Sequence, residues 1–119
     1  MSIHRAIDVA RYALELVTIA CSIAPAVCGA DYFNGRDLLE LTRGAKEHPE
    51  YEATFRGYVA GVLDTRDPTA ICIPEDVRLS RTAAVVKEYL ESSPESLGKS
   101  AKEVVMTAAR QAFPCLKDE

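Results

Sequence analysis

The chain has 119 residues and 13.0 kDa, with 14 basic and 18 acidic side chains, a net charge of −4 and a pI near 5.2. That is one domain's worth of chain, which excludes multidomain enzymes and a barrel of ~250 residues. No Lys/Arg cluster is available to neutralise phosphates, so nucleic acid is excluded as a partner, and an acidic surface steers cationic ligands instead.

Residues 1–30 differ from the rest. His4, Arg5 and Arg11 give a mildly positive start, an apolar run from Tyr12 to Val27 is broken only by Glu15, and small residues follow at Ala24-Pro25-Ala26 and Cys28-Gly29-Ala30. The layout is that of a secretory signal peptide, too short and interrupted for a spanning helix. The alternative is an amphipathic helix of the fold, with Ile3, Ile7, Ala10, Leu14 and Val17 on one stripe. Cleavage after Ala30 removes Cys21 and Cys28 and leaves Cys72 and Cys115, an even number suited to one disulfide in an oxidising compartment. Cleavage after Ala26 leaves Cys28 as an odd thiol, and two buried free cysteines are the other possibility at 72 and 115. Once cleaved, the chain is expected to have no membrane association.

Residues 31–119 are expected to form one all-α domain of four helices, or five with a short piece. Asn34 is the expected N-cap of the first, with Asp37 at N3, Phe33 stapling onto Leu38, Leu38, Leu39 and Leu41 buried, and Gly44 ending it. The second starts at Pro49 with Glu50 and Glu52 in its first turn, and buries Tyr51, Phe55, Tyr58, Val59 and Val62. Gly57 and Gly61, four apart on it, are expected where a neighbouring backbone packs closely, since each costs about 1 kcal/mol of helix propensity. An irregular segment from Asp64 to Asp76 follows, with Pro68 and Pro74. The third helix is expected from Ser80 as N-cap to Ser92, burying Ala83, Val86 and Leu90. Ser93-Pro94 opens a short piece carrying Leu97, and Ser100-Ala101-Lys102-Glu103 reads as a capping box for a last helix burying Val104, Val105, Ala108 and Ala112.

Catalytic machinery is not expected. His48 is the only imidazole after residue 30, and it has no Ser or Cys partner nearby in sequence. The sequence has no C-x-x-C, no H-x-x-x-H, no calcium loop and no phosphate-binding glycine loop, so neither a metal nor a cofactor is expected. Asp64 and Asp67, beside Arg66 and Pro68, read as a solvated loop, and Glu47, His48, Glu50 and Glu52 as a dipole-compensating helix start. A small helical protein with these properties acts by binding.

Six short motifs then occur in order: Phe33-Asn34-Gly35-Arg36-Asp37-Leu38-Leu39, Gly57-Tyr58-Val59-Ala60-Gly61-Val62-Leu63-Asp64, Cys72-Ile73-Pro74, Val85-Val86-Lys87-Glu88-Tyr89-Leu90, Ser93-Pro94-Glu95 and Ala112-Phe113-Pro114-Cys115. Together they resemble the Rap/Tai family of type VI secretion immunity proteins over Phe33 to Cys115. The resemblance implies a periplasmic, mostly helical protein, often a homodimer, that binds a peptidoglycan amidase effector and blocks its Cys-His cleft with a protruding loop and the adjoining helix surface. Family members carry two further cysteines, and here the corresponding positions are Thr42 and Arg56. The segment after the second helix is the expected effector-facing loop: Asp64, Thr65, Arg66, Asp67 and Thr69 offer both charge signs, and Cys72 anchors its end. The competing expectation is a small periplasmic acid-stress chaperone of the HdeA type, also helical and disulfide-clipped.

Overall fold

Asn34 starts the first helix by a reciprocal capping box. Its side chain accepts the Asp37 amide at 3.0 Å, and the Asp37 carboxylate accepts the Asn34 amide at 2.9 Å. The computed structural model describes residues 31–116, and the expected signal peptide and its helical alternative lie outside them. Within these residues the chain forms α1 (Gly35–Gly44), α2 (Pro49–Leu63), α3 (Leu79–Ser92), a 3₁₀ turn (Pro94–Gly98) and α4 (Ala101–Ala112). Each of the four α-helices touches the other three. Their buried faces meet in one aliphatic core around Leu38, Phe55, Val59, Val86, Leu90 and Val105.

Small side chains on α4, Ala101, Ala108 and Ala109, are fully or almost fully buried. The start of α4 is tied to the start of α1, where Gly35 N–H donates to the Lys99 carbonyl and Ala101 N–H to the Phe33 carbonyl, both at 2.9 Å. The disulfide Cys72–Cys115, with Cα atoms 4.9 Å apart, joins the segment before α3 to the tail after α4. Beside it, Cys72 N–H donates to the Phe113 carbonyl at 2.9 Å.

Several local expectations are corrected. The glycines at 57 and 61 are not where backbones pack closely: both are exposed, and among the described residues a Cβ at either would meet nothing within 4 Å. The close approach is at Gly35, where a Cβ would collide with the Ser96 carbonyl and lie 3.0 Å from Leu97 Cα. Helix α3 starts two residues earlier than expected, with Arg78 rather than Ser80 as N-cap and no side-chain cap. Only half of the α4 capping box forms, Ser100 Oγ accepting the Glu103 amide at 3.3 Å, while the Glu103 carboxylate turns to Lys99 at 3.8 Å. Ala112 is exposed and Ala109 takes the buried place, because Ala112 is the last helical residue and lies beyond the packed face. Leu41, Tyr58 and Val62 are half-buried and Tyr51 is exposed, leaving Phe55, Val59 and Leu63 to fill the core from α2. Phe33 packs edge-on against Tyr58, with ring centroids 5.4 Å apart.

Candidate functional site

The loop after α2 is built by hydrogen bonds that leave its tip no slack. The last α2 carbonyls would be orphaned without partners. The chain folds back to meet them: Asp64 N–H donates to Ala60 O at 2.9 Å, and Thr65 gives its amide and its hydroxyl to Val62 O at 3.1 and 2.7 Å. Arg66 gives its amide and one guanidinium nitrogen to Leu63 O at 3.1 and 2.9 Å. The next turn is organised by Asp67, whose carboxylate accepts the Thr69 amide at 2.8 Å and the Thr69 hydroxyl at 2.7 Å, while its carbonyl accepts the Ala70 and Ile71 amides at 3.1 Å. Those bonds, the Thr69 hydroxyl foremost, hold the Asp67 carboxyl below the usual carboxylate range. Ile71 is buried at the end of this turn, and both disulfide sulfurs lie against the Pro68 carbonyl oxygen, at 3.3 and 3.5 Å.

The five expected loop residues therefore divide by role. Asp64, Thr65, Asp67 and Thr69 are exposed, whereas Arg66 is half-buried, its guanidinium turned back onto the end of α2. Asp67 and Thr69 spend their polar atoms on each other, and Asp64 has its side chain open to solvent. The loop is thus tied by local hydrogen bonds and exposes Asp64, Thr65, Asp67 and Thr69.

A second surface, which periodicity alone did not mark, lies at the other end of α2. An apolar slot of about 220 Å³ is lined by Phe33, Leu38, Leu41, Thr54 and Tyr58. It adjoins a cavity of about 350 Å³ lined by Tyr32, Phe33, Asp37, Glu40, Leu41 and Tyr51. Tyr32 is 95% exposed, and Phe33 and Tyr51 are each 37% exposed. Partial burial, and to a lesser degree the nearby Asp31 carboxylate, push the Tyr58 phenol above its ordinary value. His48 stacks on Tyr51 at 4.8 Å and contacts Glu50 at 3.3 Å.

A third groove, of about 590 Å³, is lined by side chains of both charge signs, and Thr42 and Arg56 are among them. Thr42 Oγ1 donates to Leu39 O at 2.7 Å and Arg56 pairs with Glu52. Among the described residues no group of three His, Cys, Asp or Glu side chains gathers where a metal could bind, and no helix is long and apolar enough to cross a membrane. Both described thiols are joined in the disulfide, so neither is a nucleophile in this state.

Residues 34–115 match the family model of the Rap1a immunity proteins. No curated protein and no solved structure matches the chain.

Proposed function

The chain belongs to the Rap1a immunity protein family, and from that premise we propose that it binds and blocks the catalytic cleft of a type VI secreted peptidoglycan amidase, protecting self and sister cells. As an immunity protein it acts on a partner effector protein, which displaces the acid-stress chaperone reading. The observation that carries the finer reading is the loop Asp64–Thr69. An inhibitor that works by occupying a cleft needs a projection already held in its bound shape, because ordering entropy is then not lost on association. The bonds from Thr65, Arg66 and Asp67 and the Cys72–Cys115 disulfide supply that rigidity. No group-transfer chemistry is required of the inhibitor.

The setting of this function is the periplasm, reached by cleavage of residues 1–30 as a signal peptide. The disulfide supports an oxidising compartment. The working unit is a homodimer, as the family resemblance implies. Binding to type VI secreted peptidoglycan amidases of the same bacterium, measured by calorimetry, tests the reading. Asp64 has an open side chain at the end of α2, where an arginine suits the helix dipole. Asp64→Arg is therefore expected to keep the melting temperature and weaken binding by roughly tenfold. Unchanged affinity removes the loop from the interface, and absence of a complex with the unmodified protein overturns the reading.

A further inference from the structure

Two glycines in the middle of α2 weaken that helix without an internal reason. Gly57 and Gly61 each cost about 1 kcal/mol of helix propensity relative to Ala. Both have helical neighbours on either side and are exposed, with open space where a Cβ would stand. The absent side chains do keep one face of α2 low. Tyr51, Thr54, Tyr58, Gly61 and Thr65 are spaced three and four apart, so they form one stripe that runs from the aromatic cavity to the base of the loop. Gly57 flanks this stripe.

At its aromatic end the stripe has a definite chemical character. Tyr32, Phe33 and Tyr51 surround a cavity whose polar wall is Asp37 and Glu40, and the adjoining slot between Phe33, Leu41 and Tyr58 is apolar. Among the described residues no basic side chain lines either space. Aromatic faces and carboxylates both attract a cation, and the stem of a Lys or Arg packs on apolar surface while its head stays polar. Asp37 already holds the Asn34 amide, whereas Glu40 is exposed and has no cationic partner among the described residues.

We propose that this face of α2 is a second contact with the effector protein, the Tyr32–Phe33–Tyr51 cavity receiving a lysine or arginine side chain beside Glu40, the slot an adjacent apolar side chain, and Gly57 and Gly61 the effector's backbone. The inference rests on the effector-binding reading above and names the chemistry of the segment that is bound. A second copy of this chain is the less favoured occupant, because a two-fold axis through the cavity would set Asp37 and Glu40 against their own copies.

Two measurements on the full chain test this. The first is affinity for the type VI secreted peptidoglycan amidase that the unmodified protein binds. Glu40→Lys and Gly61→Leu are each expected to weaken it about tenfold, without lowering the melting temperature. Affinities within about twofold of the unmodified protein for both variants overturn the proposal, as does a result in which Gly61→Leu changes only self-association. The second is an NMR titration with two capped peptides, acetyl-Leu-Arg-Leu-amide and acetyl-Leu-Gln-Leu-amide. The arginine peptide is expected to shift the Phe33, Glu40 and Tyr51 resonances more than the glutamine peptide, and Glu40→Lys to abolish the difference. Equal shifts, or none, overturn the proposal whatever the amidase does. Discrimination between the peptides without amidase binding by the unmodified protein upholds the cavity's chemistry and refutes the effector-binding reading.

Discussion

Glycine has opposite meanings at two places in this chain. At Gly35 a methyl group would press on the Ser96 carbonyl and Leu97 Cα, both backbone, so Gly35→Ala is expected to cost about 1–3 kcal/mol. Gly57→Ala and Gly61→Ala meet open space in a helix and are expected to raise stability by up to about 1 kcal/mol each. Thermal denaturation of the three variants checks the sign at each site. Sequence spacing marks Gly57 and Gly61 but not Gly35, because its neighbours Ser96 and Leu97 are distant in the chain and meet it only in the folded state. Asp67 supplies a pH test. Its carboxyl is held down by Thr69, so the folded value lies below the ordinary one. A depressed acid stabilises the folded state above its unfolded value and loses that contribution as pH falls through the folded value. The Thr69 amide resonance is therefore expected to titrate with a midpoint below 3.8, and Thr69→Val to raise that midpoint by removing the hydroxyl bond.

At the scale of elements, the helices were readable because their signals are local. Asn34, Pro49 and Ser100 mark starts in the residue string, and the four-residue spacing of Phe55 and Val59 marks a buried face that Leu63 completes. Local signals failed where tertiary packing decides. Helix α3 gains its first turn without a side-chain cap, and Tyr51 lies on the expected stripe of α2 yet stays exposed because the core takes its neighbour Phe55. The two parts of the candidate interface were unequally legible. Proline and charge announced the loop, whereas the aromatic cavity depends on Tyr32 and Phe33 meeting Tyr51 across the α1–α2 pair. The disulfide couples the loop to α4 across a sequence separation of 43. In the chain-entropy account a crosslink of that span contributes roughly 4 kcal/mol. The double variant Cys72→Ser/Cys115→Ser is expected to lose about 2–5 kcal/mol in urea denaturation. Hydrogen exchange in the variant should quicken most at Ala70, Ile71 and Cys72, whose amides are bonded beside the bridge.

Among the described residues, the four α-helices enclose a mainly aliphatic core, and the proposed contacts lie on the surface of α2 and the loop beyond it. The net charge of −4 and the acidic mouth at Asp37 and Glu40 give the molecule a preference for a cationic partner face. Charge steering acts through the encounter rate, so association with the effector is expected to slow as salt rises from about 0.05 to about 0.5 M, where the screening length falls several-fold. A salt-independent rate would place the contact away from this acidic surface. The family match over residues 34–115 fixes the chain as an immunity protein, and the central claim is that it neutralises its effector by occupying the catalytic cleft. Digestion of purified peptidoglycan by a type VI secreted amidase of the same bacterium, followed while the full chain is titrated in, tests that claim most directly. Hydrolysis is expected to fall linearly and to stop when the amidase's binding sites are filled. Undiminished hydrolysis at a saturating excess would contradict it.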